Sequence, residues 1–276
     1  MKKSSSLTRT LGPVSVRFIN DLLKSGKVVF ALKDAVDIYE SDEHETIKFL
    51  SDLIARGILA RIKPGVYIIL QMGQEAAQLS NWPVIAQELA NPDKYYLSYY
   101  SAMRIHGMTT HPLFDVYISI TKRRRNRTIS NFKYHFIYVN ADHFWGYSNL
   151  WISKHNKVCI SDLERTILDG LERPELCGGV KEVVRGIWSK KNELDWQKLE
   201  DYASRFRTKS AIKRLGYILE LLEIGKIILP VLVKSITNAE DYSLLDPSGV
   251  KEGKRIRRWY LRINIDIEEL KASVWG

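Results

Sequence analysis

Apolar positions recur at helical spacing soon after the start of the chain. Val16, Ile19, Leu22 and Leu23 outline one face after Pro13, a favoured first-turn residue, and Gly26 ends the run. Val28-Val29-Phe30 reads as a short extended piece, and residues 32–39 as a short helix with Ala35, Val36 and Tyr39 on one side. Ser41-Asp42 makes a turn and an N-cap. A third helix is expected over 43–56, with Ile47, Leu50 and Ile54 turned inward and Gly57 as its stop. The period then changes: Ile58-Leu59-Ala60-Arg61-Ile62, Lys63-Pro64-Gly65 and Val66-Tyr67-Ile68-Ile69 read as strand, tight turn, strand. Proline presets φ there and glycine accepts a positive φ. Helix, short helix, helix and hairpin is the order of a winged helix-turn-helix, with the hairpin as the wing.

Residues 71–80 are polar and contain Gly73, which places a boundary near residue 75. The expectation is an α+β protein: a winged helix-turn-helix DNA-binding domain over 1–75, then a larger mixed α+β domain over 76–276. In the second part Pro83 opens a helix over 82–89, followed by Tyr95-Tyr96-Leu97. Ser98 is the expected cap of a helix over 99–106 that Gly107 stops. Residues 116–121 and 134–139 alternate as paired strands joined by a basic loop. Ser161-Asp162-Leu163-Glu164 reads as a capping box ahead of a helix to Leu171. Helices are expected near 179–189, 195–206 and 208–224, and strands over 227–236 and 256–265. No internal repeat or low-complexity tract is present.

At 45% apolar residues the chain can bury real cores, so wholesale disorder is excluded. No run approaches the roughly 20 apolar residues of a membrane span, and the lysines at the start have no apolar segment behind them, so no secretory signal is expected. Cys159 and Cys177 are too few for a disulfide framework, or for a zinc site without histidines. A soluble, reduced, cytoplasmic protein is the expectation. Against 32 acidic side chains stand 42 basic ones, a net charge of +10, which points to a polyanion partner such as nucleic acid, with solubility as its plain rival. Residues 1–75 hold 11 basic and 9 acidic side chains and residues 76–276 hold 31 and 23, so most of the excess lies beyond the winged helix.

In a helix-turn-helix the second helix of the motif enters the major groove. Residues 43–56 fill that place, with His44, Glu45, Lys48 and Asp52 outward. His44 and Lys48 are the candidates for reading bases. Arg61 and Lys63 in the wing, Arg17 in the first helix, and Lys2, Lys3 and Arg9 in the N-terminal arm are the candidates for phosphate. The acidic residues on this front can accept from a cytosine amino group but repel phosphate. Further on, Lys122, Arg123, Arg124, Arg125 and Arg127 put five cations in six residues, expected to project between two strands as a positive tip. A second cluster, Lys251, Lys254, Arg255, Arg257 and Arg258, adjoins Trp259 and Tyr260, a pairing that suits nucleic acid by charge and stacking. A third, Arg205, Arg207, Lys209, Lys213 and Arg214, reads as one charged helix face.

Catalytic signals are poor. The stretch 249–255 has the wrong glycine spacing for a phosphate loop, and Arg255 stands where Ser or Thr is needed. His106 and His111 lack a third ligand. Both cysteines adjoin apolar segments and read as core. Asp162, Glu164 and Asp169 form a tempting carboxylate trio, but capping explains most of it. No catalytic, cofactor or metal site is expected, and the chain does not read as an enzyme.

The order winged helix, RIKPGVYII, YYLSYYSAMRIHGM, VCISDLERTILDGLERPELCGG and YSLLDP…RRWYLRIN resembles the AbiEi antitoxins of type IV toxin–antitoxin systems. Tyr96-Leu97-Ser98, Ala102, His106-Gly107, Ser161-Asp162, Glu164, Thr166, Asp169, Pro174-Glu175 and Gly178-Gly179 carry the likeness, which covers most of the chain. The resemblance implies a protein that represses its own operon by binding repeated promoter sites through the winged helix. Repeated half-sites would accommodate two copies of the chain. It also implies a C-terminal region that counteracts an AbiEii-type nucleotidyltransferase toxin, with which it need not form a stable complex. The alternative is a ligand-responsive winged-helix regulator without antitoxin activity, marked by a large pocket lined with Tyr and Trp.

Overall fold

The computed structural model describes residues 11–70, 81–129, 131–152, 156–236 and 241–275. Lys2, Lys3, Arg9 and the expected boundary at 71–80 lie outside the described residues. Helix α1 (Pro13–Lys24) begins on its proline, where a missing N–H goes unused. Its inward row is Ser15, Phe18 and Leu22, whereas Val16 and Leu23, expected inside, are exposed. Phe18 decides the rotation, because it packs edge-on against Phe30, Tyr39 and Phe49. Then come β1 (Val29–Ala31), α2 (Leu32–Tyr39) and α3 (Glu43–Ala55). The Asp42 carboxylate caps α3 by accepting the Glu45 N–H at 2.8 Å. Gly57, at φ 68°, ends it while the N–H groups of Gly57 and Ile58 return to the Ile54 and Leu53 carbonyls. The buried row of α3 is Thr46, Leu50 and Leu53, and Ile47, expected inside, is 41% exposed. Thr46 enters the core satisfied, since its hydroxyl donates to the Asp42 carbonyl at 2.7 Å.

Strands β2 (Leu59–Lys63) and β3 (Val66–Ile69) form the expected hairpin, with Gly65 at φ 72° in the turn, and β1 adds to the free side of β3. Both faces of this sheet are covered. Leu59, Tyr67 and Ile69 join α1–α3 in one core. Ile62 and Ile68 join another, with α4 (Trp82–Ala90) and the larger sheet.

That larger sheet comprises β4 (Tyr95–Leu97), β5 (Asp115–Ile120), β6 (Arg127–Ile129), β7 (Phe132–Tyr138), β8 (Tyr147–Trp151) and β9 (Lys157–Ser161), in the order β6-β7-β5-β4-β9-β8. The expected pair β5 and β7 is present but parallel, so the basic loop leads into β6, which makes the hairpin with β7. The strands β8 and β9 were not anticipated. Val116, Ile118, Ile120, Tyr134, Val158 and Ile160 face α4 and the wing, while Tyr117 and Ile137 face the helical half. This is the period-two alternation of a sheet covered on both sides. Helix α5 (Tyr99–Ile105) follows β4; Ser98 holds its cap position, yet its hydroxyl accepts from Ser119 at 2.9 Å instead of capping.

The helical half holds α6 (Leu163–Glu172), α7 (Val180–Lys190), α8 (Trp196–Arg205), α9 (Lys209–Leu221) and α10 (Leu229–Ile236). The last of these replaces the strand expected over 227–236. Pro230 sits in its first turn and Leu229, Leu232 and Ile236 form an inward row, so a β-branched run is overridden by packing. A small sheet of β10 (Ser243–Leu244), β11 (Lys254–Ile256) and β12 (Leu261–Ile263) precedes α11 (Ile267–Trp275). The strand expected over 256–265 is interrupted at Arg257–Trp259 by a 3-10 turn, with Tyr260 at φ 47°. The fold is mixed α+β, as expected. No helix among the described residues is long and apolar enough to cross a membrane.

Candidate nucleic-acid interface

The outer face of α3 is bare. His44, Glu45, Lys48, Ser51 and Asp52 are all exposed. Its acidic character is partly spent locally: Asp42 caps the helix, Glu45 accepts from the Ser41 hydroxyl, and Asp52 pairs with Arg56 at 3.1 Å. Arg17, 73% exposed, lies 3.8 Å from Asp21 in a solvated pair on α1. Arg61 is exposed on β2. Lys63 is engaged within the fold. Its Nζ sits 3.1 Å from the Glu88 carboxylate and 2.8 Å from the Glu88 carbonyl, fastening the wing to α4.

The basic loop does not project as a free tip. Lys122 lies 2.8 Å from Asp93, and Arg124 binds both Asp93 and the Leu89 carbonyl. Hydrogen bonds from Lys122 and Arg124 hold the Asp93 carboxyl below its ordinary range. Arg123 covers the Tyr138 ring at 5.0 Å, and Arg125 and Arg127 remain exposed. Lys63 and Arg124 seize neighbouring carbonyls at the end of α4, so wing and loop meet over the same helix terminus. Sequence reading missed Asp93 as the residue that organises the loop; its only signal was an acid directly after Pro92, three residues past the end of α4.

In the C-terminal cluster Lys251, Lys254, Arg255, Arg257 and Arg258 are exposed. Arg255 covers Tyr242 at 5.3 Å and Arg258 pairs with Glu220 at 3.1 Å. Trp259 is fully buried and its indole N–H donates to Glu220, so it anchors the cluster and offers no stacking surface. The third cluster is not one charged face. Lys213 and Arg214 are buried, donating to the carbonyls of Asp241 and of Leu244 and Leu171. Arg205 stacks on Trp145 at 3.8 Å.

Two of the carboxylate trio stay together, because Asp162 and Glu164 share Lys198 at 3.1 and 2.8 Å, whereas Asp169 pairs with Arg165. Asp162, rather than Ser161, caps α6, accepting the Arg165 N–H at 2.9 Å, so the cap lies one residue later than expected and the Ser161–Glu164 box does not form. Ser161 ends β9 with its hydroxyl 2.8 Å from that of Thr166. Glu164 accepts from the Asp195 N–H at 3.0 Å and pairs with Lys198 at 2.8 Å. Asp169 is buried 2.7 Å from Arg165; burial outweighs that partner and lifts its carboxyl to about 6. Among the described residues no group of three or more His, Cys, Asp or Glu could hold a metal ion. Burial raises the Cys159 thiol to about 11 and pushes the Cys177 thiol well up too, which keeps both protonated. His106 lies with its Nε2 2.7 Å from the Ser161 carbonyl, and burial lowers its pKa; His111 instead approaches Glu182 at 3.9 Å.

No protein-family model matches this chain, and no curated protein matches it either. Its fold is similar to the crystal structure of the RV2827C protein from Mycobacterium tuberculosis, with a TM-score of 0.70 at 15% sequence identity over 97% of each chain. At that identity the likeness is one of fold.

Proposed function

We propose that this chain is a DNA-binding antitoxin of the AbiEi kind, acting in the cytoplasm. It represses its own operon through the winged helix and counteracts a nucleotidyltransferase toxin through the region that follows. The observation that carries the reading is the bare outer face of α3, with its cap and inner row fixed, beside an ordered wing. A helix held on one side and open on the other is what groove insertion requires. His44 and Lys48 read base edges; Arg17 and Arg61 meet phosphate. The basic loop, gathered next to the wing, extends the phosphate contacts through Arg125 and Arg127. The role requires no catalysis. The antitoxin half rests on the sequence resemblance and the DNA-binding half on the geometry of α3.

The test is a salt titration of full-length protein on the DNA upstream of its gene. Four phosphate contacts give a log–log slope near −3.6, at about −0.9 per contact on duplex DNA. A flat dependence, or no binding, refutes the DNA-binding reading. Co-expression with the neighbouring toxin tests the other half, and unrelieved growth arrest refutes it.

A further inference from the structure

A cavity of about 420 Å³ opens between the end of β7 and the helical half, lined by residues 137–140, His143, Trp145, Arg165 and 206–208, together with Tyr99, Glu172 and Arg173. The winged helix does not contribute to it. We propose that it binds a mononucleotide, with the ring between aromatic walls and the phosphate on arginines.

The size suits that class, because small-molecule sites run from about 300 to 1,000 Å³. Tyr99, Tyr138, Trp145 and Phe206 stand in the lining, with the guanidinium groups of Arg205 and Arg123 over the Trp145 and Tyr138 rings. The charge on the lining is mostly positive, with Arg165, Arg173 and Arg207 against Glu172. These cations are not equivalent. Arg165 is buried and fully engaged: it pairs with Asp169, donates to the His143 and Trp145 carbonyls at 3.1 and 3.0 Å, and reaches the Tyr96 hydroxyl at 3.2 Å. Its guanidinium also stacks on Trp145 at 4.4 Å, so it builds a rigid wall. Arg173 is held in place by Glu175 at 3.0 Å. Arg207 is exposed at the rim, and a guanidinium grips phosphate through two parallel N–H bonds. Glu172, which accepts from the Thr208 hydroxyl, is an acceptor suited to an exocyclic amino group of a base.

The backbone supplies a second, independent observation. Tyr99 is a buried non-glycine residue at φ 52°, a conformation that costs free energy and collects at ligand sites. The strain puts a phenol into the wall at the first position of α5. The Arg165 hub and the Tyr99 conformation are features of a preformed site.

The experiment is calorimetric titration of full-length protein with AMP, GMP, CMP and UMP, without DNA, and with inorganic phosphate and adenosine as controls. At least one mononucleotide is expected to bind with a Kd below 1 mM, at least tenfold tighter than phosphate or adenosine alone. Arg207→Ala should weaken that binding about tenfold, the usual worth of a hydrogen bond to a charged group, and Arg207→Glu should weaken it more. Both changes lie at an exposed position, so folding is preserved. Lys226→Ala, at an exposed position outside the cavity lining, should leave the binding unchanged. If none of the four binds at 1 mM, or if binding survives Arg207→Glu, the proposal is overturned. DNA affinity plays no part in the readout, so this test stands apart from that of the winged helix.

Discussion

Gly216→Ala reverses the usual sign of a glycine substitution. Gly216 lies inside α9, where replacing glycine by alanine ordinarily gains about 1 kcal/mol of helix propensity. Here the new Cβ would stand 2.0 Å from Cζ3 and 2.3 Å from Cη2 of Trp259. Carbon atoms need about 3.5–4.0 Å, so the indole must retreat by more than an ångström. It has no room, being fully buried and fastened to Glu220 through its N–H. Overpacking of this kind costs about 1–3 kcal/mol, and expelling the ring would approach the roughly 3–5 kcal/mol of a Trp deletion. A net loss of about 2 kcal/mol is expected after the propensity gain. Urea unfolding at constant m-value measures it. The offending atoms belong to the six-membered ring of the indole, so Trp259→Phe should relieve part of the clash. The double variant is then more stable than the sum of the single losses by about 1 kcal/mol. A neutral or stabilising Gly216→Ala would show that the packing of α9 on the Arg257–Trp259 turn is misdescribed.

Other outcomes follow from the same contacts. Arg61→Ala should weaken binding to all DNA sequences and reduce the salt slope by about 1 in a filter-binding or anisotropy assay. Lys63→Ala should leave that slope unchanged and act on the seating of the wing instead, seen as faster hydrogen exchange in β2 and β3, because its ammonium is held by Glu88. The raised carboxyl of Asp169 has a signed consequence for pH. Its folded pKa, about 6, lies above the ordinary 3.8, so the stability it lends is full below about 3.8 and lost as pH rises through 6. The slope of unfolding free energy over that window should flatten in Asp169→Asn, by an integrated amount on the order of 1–3 kcal/mol, and an unchanged slope would show that Asp169 ionises normally.

The sequence made the winged helix legible because its signals are local. Asp42, Gly57 and Pro64-Gly65 act within a few residues of the turns they specify, and the structure places each as expected. Which side of each helix faces inward was less legible. Val16, Leu23 and Ile47 satisfy helical spacing, but Phe18 and Leu53 are better fillers of this core, and spacing alone does not rank them. The parallel pairing of β5 with β7 was hidden because it depends on the insertion of β6, a long-range choice that alternation cannot register. The basic loop misled for a related reason. Its cations are visible in sequence, while Asp93 and the Leu89 carbonyl that hold Arg124 lie 31 and 35 residues away. Burial of Lys213 and Arg214 was equally invisible, since their partners are backbone carbonyls, and every sequence has those.

The most direct measurement compares the full-length protein with the His44→Ala/Lys48→Ala variant on operator and random DNA at one fixed salt concentration. Specific binders discriminate by roughly 10³ or more, and two lost base contacts at about 1–3 kcal/mol each remove most of that. The expected result is an operator-to-random ratio of at least about 10³ for the unaltered chain that falls by at least tenfold in the variant, with random-sequence affinity nearly unchanged. An unaltered ratio in the variant would contradict base reading by α3.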